Sequence, residues 1–368
     1  MNKNEKITYE GIPYFHPGSL LKEILKARHI EQKDLSKRTN ISEKHLSQLL
    51  SSQVSLSVEI AQKISLVLDE NPETWINMQT KYDIIQEKIK CAEELSKHVE
   101  LLKKFPIKDM VKYGLIKPYK EKWKNLFQLI SFLGFGDPKN MKKLSTVMYR
   151  KLKTPDTEEA TTVLIKWGEK IALSRNTTYP YNKKICEQAI KNIRQYMQKP
   201  LDDNLLNNIQ QELEKAGVLF VFTPKLKNTS VSGLSYKLDQ HPVIHLTDRN
   251  KQVDTFWFSL FHELKHVLDD DISEINKTIN KTQEMEEKAD NYAREIIIPY
   301  SKWISFLNTN FNFSVKSVND FANDLVIPAA CIIGRLQKEK IITYRSKLAH
   351  ELKEKNLVRH FDNICFSD

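Results

Sequence analysis

The sequence predicts an α+β protein, mainly helical with one small β-sheet, and three observations predict it. Apolar residues recur at helical spacing through residues 16–83 and again beyond residue 253. Only the stretch 217–248 carries continuous apolar runs bounded by turn residues, as buried strands do. The chain has 368 residues, which is enough for two or three domains with cores of their own. Hydrophobic residues at 40% and charged residues at 28% are those of an ordinary soluble protein. No apolar run reaches the length of a membrane span, and "MNKNEKITYEGIPYFHPG" has no signal-peptide core, so a cytoplasmic protein without membrane contact is expected.

The first helical segment opens at "HPGSLLKEILKARHI", with Pro17 suited to a first turn and Leu20, Leu21, Ile24 and Leu25 at helical spacing. Leu35 anchors a short second helix, the chain breaks at Thr39, Asn40 and Ile41, and Ser42 is a good N-cap for a third. In that third helix Leu46, Leu49 and Leu50 face inward, leaving Glu43, Lys44, His45, Ser47 and Gln48 outward. A short helix, a tight turn and a polar-faced second helix make a helix-turn-helix pattern, although small helical bundles share it. "HPGSLLKEIL", "QKDLSKRTNISEKHLSQLLSSQVSLSVEIAQKIS" and "PETWINMQTKYD" together resemble the HigA-type antitoxin repressors of the XRE helix-turn-helix family. The resemblance implies a domain that dimerises and binds operator DNA, with Gln32 opening the first motif helix and Ser42, Glu43, Lys44, His45, Ser47 and Gln48 on the recognition helix.

Net charge is +10, and it is unevenly placed. Residues 1–80 carry ten basic and ten acidic side chains, whereas residues 81–153 carry eighteen and eight, which accounts for the whole excess. That surface suits phosphate contact; equally, it suits solvated helix faces. Residues 84–200 read as a basic, mostly helical connecting region with breaks such as "KFPI", "GFGDPKN" and "QKPLDD" and no pattern that performs chemistry.

"AGVLFVFTPKL" then reads as a buried strand, and "VSGLSYKLDQHPVIHLTD" as two more. His245 in the last is expected to pack against the sheet, and no site role is assigned to His241, Tyr236 or Tyr292.

The helix "FWFSLFHELKHVLDD" follows. Trp257, Leu260, Phe261, Leu264 and Leu268 form one stripe, and His262 and His266 lie one turn apart on the neighbouring face. Imidazoles at i and i+4 can converge on one metal ion, and Glu263 stands one residue off their line, beside an open coordination position. There it can take a proton from metal-activated water and return it to a leaving amine. The four cysteines, Cys91, Cys186, Cys331 and Cys365, form no CxxC pair, so the donors must be nitrogen and oxygen. A third ligand is expected from "EMEEKADNYAREIIIP", whose apolar stripe is Met285, Ala289, Tyr292, Ala293 and Ile296. Glu286 is assigned to it, with Glu284 and Glu287 as alternatives, and Asp290 as an acceptor that orients a ligand histidine.

"FWFSLFHELKHVL", "EEKADNYAREIIIP" and "VSGLSYKLDQHPVIHLTDR" resemble the ImmA/IrrE family of zinc metallopeptidases over roughly residues 160–342. The resemblance implies a zincin-like fold, Zn2+ held by His262, His266 and Glu286, Glu263 as the catalytic acid and base, and a regulatory protein of repressor or antitoxin type as substrate. Two departures stand out: Lys265 occupies a position usually held by glycine, and Lys288 replaces a common acidic residue. They support a rival expectation, a repressor or antitoxin whose peptidase fold is inert and serves as a binding module. After the site, "SVNDFANDLVIPAACIIGRLQKEKII" reads as two short helices docked on the peptidase through Ile332, Ile333 and Leu336. The expected domains are therefore a helix-turn-helix domain at 1–83, the connector at 84–200, a zincin-like domain at 201–342 and a charged tail at 343–368.

Overall fold

Glu10 and Gly11 both take left-handed backbone, with φ of 49° and 81°. They close a two-residue turn between β1 (Lys6–Tyr9) and β2 (Ile12–Phe15), which pair antiparallel. Helical spacing begins only at residue 16 and gives no sign of this hairpin, although "KITYEGIPYF" flanks a Glu-Gly turn with β-branched and aromatic residues. The computed structural model describes residues 6–140, 158–175, 177–272, 282–310 and 312–352. Part of the expected connector (141–157), Cys365 and most of the tail fall outside those residues.

Five helices follow the hairpin: α1 (Pro17–Ala27), α2 (Gln32–Thr39), α3 (Glu43–Leu50), α4 (Val58–Leu68) and α5 (Pro72–Ser96). The side chains of Ser42, Ser57 and Asn71 accept backbone N–H groups at the starts of α3, α4 and α5. Asn40, left-handed at φ 53°, ends α2 and sets the tight turn into α3. Leu21, Leu35, Leu46, Leu49 and Ile64 are fully buried in one core. At Gly18 a Cβ would stand 1.8 Å from the Leu49 carbonyl oxygen, so α1 and α3 meet backbone to backbone.

The chain divides into two compact units, the first running to Val99 and including Lys122–Lys124, the second holding the rest. The boundary expected at residue 83 falls inside α5, because Asn71 and Pro72 start a helix that meets no glycine or proline before Pro106.

The second unit holds α6 (Ile107–Lys112), most of α7 (Lys122–Leu133), α8 (Glu158–Leu173), α9 (Lys183–Arg194) and α10 (Asp203–Lys215) before its sheet. The boundary expected at 200/201 is also displaced. Cys186, Ala189, Ile190 and Ile193 of α9 belong to the same core as Leu205, Ile209 and Leu213 of α10 and the strands beyond.

The three strands are β3 (Leu219–Thr223), β4 (Gly233–Leu238) and β5 (His241–Thr247), in the order β3-β5-β4. β5 runs parallel to β3 and antiparallel to β4. Every residue of β3 is buried, which explains its unbroken apolar run. Helix α11 (Val253–Leu268) packs on β4 and β5 and α12 (Gln283–Ile297) packs on α11, followed by α13 (Tyr300–Thr309), α14 (Val315–Leu325), α15 (Ala329–Lys338) and α16 (Lys347–Leu352). Trp257, Leu260, Phe261 and Leu264 are completely buried, and each such side chain contributes about 1.5–3 kcal/mol of transfer free energy. Ile332, Ile333 and Leu336 of α15 share that core, as the sequence predicts.

Candidate metal centre

Burial of the α11 stripe fixes the rotation of that helix about its axis and turns His262 and His266 towards α12. Ala289 and Ala293, both completely buried, seat α12 with little side-chain bulk between the helices. The two imidazole Nε2 atoms lie 3.1 Å apart. Glu286 stands over them, with Oε2 3.3 Å from His262 Nε2 and Oε1 3.4 Å from His266 Nε2. Each imidazole donates its other N–H to a carboxylate: His262 Nδ1 to Asp290 at 3.0 Å and His266 Nδ1 to Asp271 at 2.8 Å. An ionised carboxylate only accepts, so these bonds leave each Nε2 lone pair directed into the cluster.

This donor set fits a divalent ion. Three ligands at tetrahedral angles on bonds of about 2.0–2.1 Å stand about 3.3–3.4 Å apart, close to the separations observed. The carboxylates around the imidazoles make this a place that holds positive charge, for which a proton and a metal ion compete. Burial would lower the pKa of His262, but hydrogen bonds with Asp290 and Glu286 and the charge of Glu263 outweigh it and raise the value to about 9. Asp290 shifts the other way, its pKa lowered by His262 and the nearby cations although burial opposes this. Glu263 is 6% exposed and accepts a 2.6 Å hydrogen bond from Ser235 Oγ on β4.

Residues 213–337 match the family model described as the IrrE N-terminal-like domain, a peptidase family, and residues 21–75 match one described as helix-turn-helix. Residues 213–337 are therefore an IrrE-like domain, and it lies behind a helix-turn-helix domain. It is 30% identical over 81 residues to virulence-associated protein A′ of Dichelobacter nodosus, covering 22% of this chain and 70% of that protein. It is 26% identical over 70 residues to the uncharacterized HTH-type transcriptional regulator YddM of Escherichia coli (strain K12), covering 19% and 74%. No solved structure matches the chain significantly.

Within the IrrE-like domain the alternatives for the third donor separate cleanly. Glu284 is exposed and paired with Lys288 at 2.7 Å, and Glu287 is exposed and accepts from Gln283, so Glu286 alone of the three reaches both imidazoles. Lys265 turns to Asp269 at 2.7 Å and lies over the Tyr292 ring. Neither lysine departure therefore places its ammonium among the donors. His245 is completely buried on the sheet, bonded to Thr223 at 2.7 Å, and burial pushes its pKa down to about 3. His241 bonds the Gly217 carbonyl instead.

Three residues escaped sequence reasoning: Asp271, Ser235 and Gly233. A Cβ at Gly233 would stand 2.9 Å from Glu263 Cγ, so glycine lets β4 approach the carboxylate. The available signal was the alternation of small Gly233 and Ser235 on one face of β4.

In the helix-turn-helix DNA-binding domain, Ser42, Glu43, Lys44 and Ser47 are exposed and His45 and Gln48 partly so. Gln32 Nε2 donates to the Glu43 carbonyl at 3.1 Å and ties α2 to α3. Among the described residues no helix is long and apolar enough to cross a membrane.

Proposed function

We propose that this protein is a cytoplasmic DNA-binding regulator whose IrrE-like domain is a zinc-dependent endopeptidase, acting on a regulatory protein of repressor or antitoxin type. The observation that carries this reading is the convergence of His262, His266 and Glu286, each imidazole braced by a carboxylate, beside a buried Glu263. Zinc held by those three residues supplies Lewis acidity and lowers the pKa of water from ~16 towards 7.

Glu263 takes the proton of the attacking water and delivers it to the leaving amine. Ser235 holds one oxygen of that carboxylate and so fixes its orientation. β4 is an outer strand of its sheet among the described residues, and an extended substrate adds to its open edge with a peptide carbonyl near Glu263. On the regulatory side, Gln32, Ser42, Glu43, Lys44, His45, Ser47 and Gln48 face operator DNA, and the helix-turn-helix domain pairs with a second copy of itself.

Glu263→Gln is the decisive substitution. Elemental analysis is expected to find one zinc per chain in both proteins. Incubated with proteins encoded beside it, the zinc-loaded wild type yields a defined cut that the variant makes at least about 100-fold more slowly. Equal turnover by the variant refutes the assigned acid and base.

A further inference from the structure

A pocket of about 280 Å³ opens between the first turns of α11, the end of α12 and α15. It adjoins the metal cradle through two of its walls. Phe258 lines it and also lies against the His262 ring, centroids 6.0 Å apart. Arg294 lines it and donates to Asp290, the carboxylate that holds His262.

Phe258, Ile297 and Ile298 give it an apolar wall, while Gln252, Asp254, Thr255 and Gln337 add polar groups. The Gln337 side chain is 2% exposed, yet neither its amide nitrogen nor its amide oxygen has a hydrogen-bond partner among the described residues. A buried carboxamide left unpaired destabilises a fold, and leucine or methionine would pack at the same place without that penalty. The rim carries three cations, and Lys338 is the one whose charge reaches Asp290 only at a distance. Arg294 and Arg335 are paired with Asp290 and Glu339, whereas exposed Lys338 forms no ion pair among the described residues.

We propose that this pocket reads the polypeptide substrate next to the cleaved bond: an apolar side chain fills it, Gln337 pairs with that residue's backbone, and Lys338 meets a carboxylate on the following residue. In an extended chain the N–H and C=O of one residue point the same way, so one carboxamide satisfies both and is itself satisfied. The preference rests on the peptidase reading and names its substrate class, an apolar residue followed by an acidic one.

The probe is the capped peptide acetyl-Ala-Leu-Asp-amide, titrated calorimetrically into the full-length Glu263→Gln protein so that no turnover intervenes. Methylating the leucine nitrogen and substituting Gln337→Met are each expected to weaken binding about tenfold, and together no further than either alone. Asparagine in place of the aspartate weakens binding several-fold, and Lys338→Gln abolishes that difference. The proposal is overturned by no binding of the parent peptide, by equal binding of the parent and N-methyl peptides, or by undiminished affinity in Gln337→Met. Should Gln337→Met fail to fold, the N-methyl peptide probes the same contact without a variant. Glu263-dependent cleavage alongside equal binding of the two peptides sinks the pocket and leaves the peptidase reading intact. The expected binding pattern without Glu263-dependent cleavage does the reverse.

Discussion

Three consecutive aspartates follow α11, and each has a different partner: Asp269 takes Lys265, Asp270 takes Lys237, and Asp271 takes His266. In the sequence they look alike, a solvated charge run at a helix end, and only the turn that follows separates them. Asp290 was legible earlier because it lies four residues after Glu286 on one helix face. Replacing Asp290 with asparagine keeps its size but deprives the His262 N–H of a charged acceptor. Such outer partners typically change metal affinity 10–100-fold, so Asp290→Asn is expected to bind zinc roughly that much more weakly in competition with a chromophoric chelator. Unchanged affinity would mean that packing against Phe258 alone orients the ring.

At the scale of elements, α1 is capped by a titratable residue. His16 is 3% exposed, its Nδ1 accepts the Gly18 N–H at 3.0 Å, and its ring meets the edge of Tyr82. Burial lowers its pKa from the usual 6.5, with the charge of Asp83 opposing. Protonation would also turn the accepting nitrogen into a donor and break the cap, which is worth about 1 kcal/mol. Because the folded pKa is the lower one, the unfolded chain binds the proton first as pH falls. Stability is therefore full above about 6.5 and declines below it. The melting transition of the first unit is expected to drop between pH 7 and pH 5, and less so in His16→Asn, which retains a capping oxygen. Parallel pH profiles for the two proteins would exclude His16 as the source. The helices of this unit were readable from spacing and caps, but the hairpin at residues 6–15 was not, because attention to helical periodicity passes over a period of two.

On the scale of the whole molecule, the two units have separate cores that share no residue among those described. Separate cores of this kind are expected to unfold as separate transitions. An ion in the IrrE-like domain stabilises only that domain, by about 2.7 kcal/mol when present at 100 times its dissociation constant. Chelation is accordingly expected to lower one calorimetric transition and leave the other, along with binding to operator DNA, unchanged. A joint shift of both would contradict the division. The sequence by itself determined what helix geometry dictates locally: the burial of Trp257, Leu260, Phe261 and Leu264, and the placement of His262 and His266 on one line, because a period of 3.6 needs no distant partner. Only the tertiary structure decided which glutamate stands over both imidazoles, how β4 and Ser235 close on Glu263, and that Gln337 is buried without a partner among the described residues. Those outcomes depend on how α11 packs against α12, β4 and α15, and no spacing within a single segment encodes that packing.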